Sequence, residues 1–190
     1  SLYMAGIISY PRVDNTVYPD SLDLADVVRV LSKVPAYAPY CQKLLSKGAL
    51  SATRGKQETT DHPPIYPTAP ADPDSLDPAQ WKLYNLIARR FLATLSESAI
   101  TENTKVTFDV NSEPFDTSGV ITQKPGFRAI YPYGRKKDVQ LPPLEQGQTV
   151  DFKGAACEKK QTQPPARYSQ GVLIQEMEKL GLGTKATRAS

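Results

Sequence analysis

Long apolar runs are absent from this 190-residue sequence. None approaches the ~20 residues that a membrane-spanning helix needs, so a helical span is ruled out. Cysteine is nearly absent. Cys41 and Cys157 lie far apart, with no CxxC partner, which excludes a zinc site of the usual spacing and argues against a disulfide framework. A reducing interior, the cytoplasm, is the expected compartment. His62 is the only histidine, so no paired-histidine metal motif can form. The opening residues 1–6 carry no basic stretch and do not form a secretory signal. Ser1 reads as an internal cut. No internal repeat or low-complexity tract is evident.

What remains is the composition of a soluble globular protein, 39% hydrophobic and 23% charged, with a formal net charge of +3. The charge suits a nucleic-acid partner without demanding one. It is unevenly spread: residues 166–190 carry Arg167, Lys179, Lys185 and Arg188 against Glu176 and Glu178.

The hydrophobic pattern changes period along the chain and predicts an α+β protein. Ser21 reads as the N-cap of a first helix carrying Leu22, Leu24, Val27, Val28 and Leu31, which Pro35 ends. A second short helix is expected from Pro39 to Lys47, stopped by Gly48. Residues 49–76 read as an irregular segment pinned by prolines at 63, 64, 67, 70 and 73. The plainest helix signal is Asp77-Pro78, an N-cap followed by proline at the first helical position, leading an apolar face from Trp81 to Leu95 that ends near Ser98. Beyond residue 100 the period becomes two. Strands are expected around Val106–Val110 and at 115–123, 127–131 and 148–157. Arg135-Lys136-Lys137 reads as a solvated turn. A last helix runs from Ser169 to Leu180, before Gly181. The expected organisation is a helical domain at 1–99, a small antiparallel β domain at 100–163, and the start of a further helical domain at 164–190.

Three segments carry chemistry. Residues 7–19 read Ile-Ile-Ser-Tyr-Pro-Arg-Val-Asp-Asn-Thr-Val-Tyr-Pro. Pro11 biases Tyr10 towards an extended conformation, in which Tyr10 and Arg12 project to one side, roughly 6–7 Å apart along the chain. A phenol is a weak nucleophile at neutral pH. A neighbouring guanidinium can hold a phosphate and stabilise both phenolate and transition state. The plain alternative is an edge strand with a surface Tyr and Arg. The second segment, Asp61-His62-Pro63-Pro64-Ile65-Tyr66-Pro67-Thr68, offers an imidazole suited to phosphate contact or proton transfer, with Asp61 as a candidate partner for its other nitrogen. In the third, Ser169 caps a helix, and Gly181-Leu182-Gly183 leads into Thr184-Lys185-Ala186-Thr187-Arg188, a helix start whose amides, hydroxyls and bases could cradle phosphate.

Gly6-Ile-Ile-Ser-Tyr-Pro-Arg-Val-Asp-Asn15 closely resembles the active-site signature of the type IA DNA topoisomerases, Gly-x-Ile-[Ser/Thr]-Tyr-x-Arg-Thr-Asp. The proline after the tyrosine is similar to the topoisomerase III and archaeal form. Val13 stands where the family has threonine. The histidine segment resembles the family's His-Pro-Ala-Ile-x-Pro-Thr stretch. Residues 165–190 resemble its Pro-x-Arg-[Phe/Tyr]-[Ser/Thr]…Leu-[Ile/Val]…Glu followed by Gly-[Ile/Leu]-Gly-x-x-[Ser/Ala]-Thr.

The resemblance implies that Tyr10, Arg12 and His62 are catalytic. It further implies that Arg12, His62, Arg167, Ser169, Thr184, Lys185 and Thr187 contact DNA. The implied activity is ATP-independent cutting and resealing of one strand through a 5′-phosphotyrosyl link, with single-stranded DNA and duplexes carrying single-stranded regions as substrates. It also implies a Mg²⁺ requirement met by a Toprim domain. Nothing in this sequence matches that domain, since Asp72-Pro73-Asp74 sits in a proline loop, so these residues alone are expected to be inactive. A single-stranded nucleic-acid-binding module without catalysis, with Tyr10 stacking on a base, is the alternative. A purely structural segment is a further one.

Overall fold

The computed structural model describes residues 1–134 and 137–188. Arg135 and Lys136 of the expected basic turn, and the side chain of Lys185, lie outside the described residues. Two compact units divide the chain, Ser1–Val139 and Gln140–Ser190. This boundary differs from those expected at 99 and 163.

The first unit is built on three helices: α1 (Leu24–Leu31), α2 (Ala38–Leu45) and α3 (Pro78–Thr94). Asp23, not Ser21, caps α1, its carboxylate accepting from the Asp26 N–H at 2.9 Å. Ser21 and Leu22 instead belong to the preceding turn, closed by the Leu22 N–H on the Pro19 carbonyl. An ionised cap also favours the positive helix start more than a hydroxyl does. Asp77 caps α3 as its sequence predicts, accepting from the N–H groups of Ala79 and Gln80. The helix stops at Thr94, short of Ser98. There the hydroxyls of Thr94 and Ser96 take the carbonyls of Phe91 and Leu92.

Val28, Leu31, Tyr37, Cys41, Tyr84, Ala88, Phe91 and Leu92 form the centre of the core. Tyr84 satisfies its hydroxyl on the Ala69 carbonyl at 2.8 Å, and Tyr37 donates to Asn85 Oδ1 at 2.9 Å, so neither leaves a buried polar atom unpaired. Burial pushes the phenols of Tyr18 and Tyr84 up to about 12, and that of Tyr37 higher still. A pKa raised in the folded state contributes stability that is complete below the unfolded value of about 10 and is lost as pH climbs through the folded value. We expect thermal melts to fall steeply between about pH 10 and 12, with Tyr18 and Tyr84 each accounting for a loss on the order of 2 kcal/mol. A melting temperature unchanged between pH 9 and 12 would show that these rings are not sealed from water.

After α3 the chain forms one antiparallel hairpin, β1 (Ile100–Val110) and β2 (Glu113–Lys124), giving the α+β architecture that the change of period predicts. Asn111 and Ser112 turn it with φ of 52° and 68°, the double positive φ of a two-residue loop matched to strand twist. The expected strand at 127–131 is instead a 3-10 turn, Gly126–Ala129. Pro125 already has helical dihedrals, and Gly126, at φ 49°, lies so close to the Ser98 carbonyl that no Cβ fits. A strap then runs on to Val139, which exchanges two 2.9 Å backbone hydrogen bonds with Val120 of β2.

In the second unit, the expected strand at 148–157 does not form; these residues are exposed and have no ladder partner among the described residues. Its helices are α4 (Gln170–Lys179), capped by Ser169 as expected, and the short α5 (Lys185–Arg188). Among the described residues no helix is long and apolar enough to cross a membrane.

Candidate active site

Tyr10 and His62 meet because the segments carrying them run antiparallel. Ile8 bridges Pro67, and the Ser9 N–H donates to the Tyr66 carbonyl at 2.9 Å. In return the Tyr66 N–H donates to Ser9 Oγ at 3.0 Å. Thr68 closes that end, its N–H on the Ile7 carbonyl and its hydroxyl on that of Gly6 at 2.7 Å. At the other end Thr16 holds Gln57: its N–H and hydroxyl both reach the Gln57 carbonyl, and its Oγ1 accepts the Gln57 N–H at 2.9 Å. Gly55 approaches Thr16 so closely that a Cβ there would overlap it, a position only glycine fills. Buried Asn15 bridges the two segments, donating to the Thr59 carbonyl at 3.0 Å and accepting the Val17 N–H at 2.9 Å.

Between these clamped ends lie Tyr10, Pro11, Arg12 and His62. The Tyr10 ring packs against His62 at 4.6 Å between centroids, tilted by 48°. Tyr3 meets it edge-on from another side at 5.4 Å. Tyr10 is half-buried, while Arg12 and His62 are exposed. Arg12 makes no ion pair with a carboxylate among the described residues. Asp61 does not hold the imidazole. Its carboxylate accepts from the Thr59 hydroxyl, and that bond together with the His62 backbone N–H holds it below the usual carboxylate range. Val13 is 5% exposed, so the methyl groups that replace the expected hydroxyl face inward.

The pinning residues Ser9, Asn15, Thr16, Gln57, Thr59 and Tyr3 carry no signal of their role in the sequence. Their bonds run mainly from side chain to backbone, and the proline-rich partner strand shows no alternation that would betray a pairing. Removing Asn15 tests the clamp. Asn15→Ala takes away the partners of the Thr59 carbonyl and Val17 amide, and should cost about 1–3 kcal/mol. Urea denaturation measures this; a loss under about 0.5 kcal/mol would mean that the clamp does not depend on Asn15.

Arg167, Ser169, Thr184 and Thr187 belong to the second unit. Arg167 is exposed. Ser169 accepts from the Val172 N–H at 3.3 Å. The Thr187 hydroxyl accepts the Thr184 N–H at 2.9 Å, capping α5. Arg188 folds back, donating to the carbonyls of Leu182 and Gly183 and lying 3.8 Å from Glu178, so its guanidinium is engaged within the turn. Asp72 caps its own 3-10 turn through the Asp74 N–H. No group of three or more His, Cys, Asp or Glu among the described residues is placed to hold a metal ion.

The DNA topoisomerase family model matches residues 1–190, the entire chain. The chain belongs to the type IA DNA topoisomerase family. It is 44% identical to DNA topoisomerase 1 of Archaeoglobus fulgidus over 99% of its own length, and 42% identical to that of Pyrococcus horikoshii over 100%. It is 34% identical to DNA topoisomerase 3-beta of Arabidopsis thaliana over 99%. The chain spans about 28% of the length of the two archaeal relatives. The full-length topoisomerase I structure from Thermotoga maritima shares the fold, with a TM-score of 0.67, 23% identity, and coverage of 96% of this chain and 29% of that one.

Proposed function

We propose that Tyr10 is the nucleophile with which a type IA topoisomerase cuts and reseals one strand of DNA. The observation that carries this is the half-buried Tyr10 ring held against the family's histidine at 4.6 Å within a clamped two-strand frame. Tyr37 and Tyr84 are fully buried in the core and Tyr18 packs against it, whereas Tyr10 is only half-buried.

In this reading the Tyr10 oxygen attacks a phosphodiester phosphorus and loses its proton. A phosphorus–oxygen bond to the tyrosine forms as the bond to the 3′ oxygen breaks, and that oxygen leaves as a hydroxyl. The 5′ phosphate stays on Tyr10. Attack by the same 3′ hydroxyl reverses every step, so resealing needs no ATP. Arg12, exposed two residues away, neutralises the phosphate oxygens. His62 donates to a phosphate oxygen or carries the proton. Arg167, Ser169, Thr184, Lys185 and Thr187 contact the backbone of single-stranded DNA or of a duplex with single-stranded regions. The Mg²⁺ implied by the family is bound outside these residues, by a Toprim domain, and the 190-residue chain by itself does not cleave.

Mapping the adduct tests this. The whole protein is trapped on labelled single-stranded DNA and digested with trypsin; the DNA should sit on the peptide that ends at Arg12. An adduct on another peptide, or nicking by the isolated chain in Mg²⁺, would overturn the corresponding part.

A further inference from the structure

A second cleft, sharing no residue with the Tyr10–His62 pair, lies between α3, β2 and the strap that follows the 3-10 turn. It encloses about 660 Å³ and is lined by Arg90, Arg128, Lys137, Tyr131, Tyr133 and Asp138, among others. The Arg90 guanidinium stands over the Tyr131 ring at 5.4 Å. Tyr131 and Tyr133 meet edge to face, 4.9 Å between centroids and 68° between ring planes. Asn85 of α3 donates to the Tyr133 hydroxyl at 3.3 Å, which fixes the ring by its edge and leaves the residue 45% exposed. The strap is pinned by the Val120–Val139 hydrogen bonds and by Asp138, whose carboxylate accepts from the Thr122 N–H at 3.0 Å and hydroxyl at 2.9 Å.

The charges do not cancel. Among the described residues the lining sets three cations against one carboxylate, Asp138, which accepts two bonds from Thr122. Arg90, Arg128 and Lys137 make no ion pair with an acid among the described residues. A purely structural cation–π pair needs neither an exposed neighbouring ring nor two further unpaired cations. Fixed aromatic faces beside unpaired guanidinium groups are what a flexible, unpaired nucleotide strand requires: its bases stack and its phosphates neutralise. A duplex offers no free base face to the tyrosines.

We propose that this cleft is a second strand-binding site, which takes single-stranded nucleic acid by stacking a base on Tyr133 with flanking phosphates on Arg90, Arg128 and Lys137. It does not depend on the nucleophilic role of Tyr10.

Anisotropy of a labelled oligothymidylate, titrated with the 190-residue chain carrying Arg12→Gln and His62→Ala, reads this cleft with the phosphate contacts of the first site removed. Tyr133→Ala should weaken binding about tenfold. Arg90→Gln with Arg128→Gln should lower the slope of log affinity against log salt by about 1.4, roughly 0.7 for each single-strand phosphate left without its arginine. Circular dichroism checks that each variant folds. Photocrosslinking of a 5-iodouracil oligonucleotide to the unsubstituted cleft needs no variant of these residues, and the crosslink should map to the peptide containing Tyr131 and Tyr133. Crosslinks confined to segments 1–18 or 55–68, unchanged affinity in folded variants, or no binding at low salt would each overturn the proposal. None of these outcomes bears on whether Tyr10 forms an adduct.

Discussion

Tyr10→Phe abolishes the covalent protein–DNA adduct of the whole enzyme while leaving its DNA affinity within about twofold. This is the expected result if the phenol oxygen is the attacking atom, because the substitution deletes that oxygen and little else. The ring stays, and with it the packing against Tyr3 and His62. The Tyr10 hydroxyl makes no hydrogen bond among the described residues, so folding should be indifferent to the change. Removing a catalytic nucleophile costs on the order of 10⁴–10⁶ in rate. His62→Ala makes the contrast. A residue that donates to phosphate or moves a proton contributes about 10²–10⁴, so that variant should still form the adduct, more slowly. Quenched-flow trapping with labelled single-stranded DNA measures both. Residual adduct in Tyr10→Phe at wild-type rate would remove Tyr10 from the reaction. Loss of binding in parallel with the adduct would instead favour the non-catalytic binding module, with Tyr10 stacking a base.

The parts of this fold legible in the sequence are those fixed by local chemistry. Asp77-Pro78 and Ser169 start helices because a side-chain oxygen meets the first free amides, whatever surrounds them. Ser21 misleads because a nearby carboxylate, Asp23, does the same job two residues on. The strand expected at 127–131 fails for a tertiary reason: Gly126 must pass under the Ser98 carbonyl, and the Phe127 N–H is taken by the Glu97 carbonyl at 2.8 Å. The site divides in the same way. Tyr10, Arg12 and His62 stand out by motif, yet the frame around Tyr10 and His62 is invisible in either segment alone. It exists only when Thr16 faces Gln57 and Ser9 faces Tyr66. Arg188 shows the converse. Residue type makes it a phosphate ligand, whereas the fold gives its guanidinium to the carbonyls that close the Gly181–Gly183 turn.

Phe91→Ala should be the most damaging core substitution for both stability and chemistry. Phe91 is fully buried near the end of α3, in the same cluster as Val28, Leu31 and Tyr84. Truncating a buried phenylalanine costs about 3–5 kcal/mol, from forfeited transfer energy and the cavity left behind. That is a large share of the roughly 5–15 kcal/mol that holds a domain folded, and corresponds to a melting temperature lower by roughly 10 °C. The ring also meets Tyr18 edge-on at 5.7 Å and 82°. Tyr18 in turn donates at 3.5 Å to the carbonyl of Ile65, in the segment that carries His62. A cavity at Phe91 therefore lets Tyr18 collapse away from the His62 strand. Adduct formation should fall by more than the unfolded fraction explains, even at a temperature where the variant is folded. Leu83→Ala, on the same helix at 50% exposure, is the control and should change stability by under about 0.5 kcal/mol. Urea denaturation of both variants, with adduct rates measured at the same temperature, checks the pair. A Phe91→Ala variant within about 1 kcal/mol of the parent would show that α3 repacks freely. A destabilised variant whose folded fraction reacts at full rate would show that Tyr18 does not support the His62 strand.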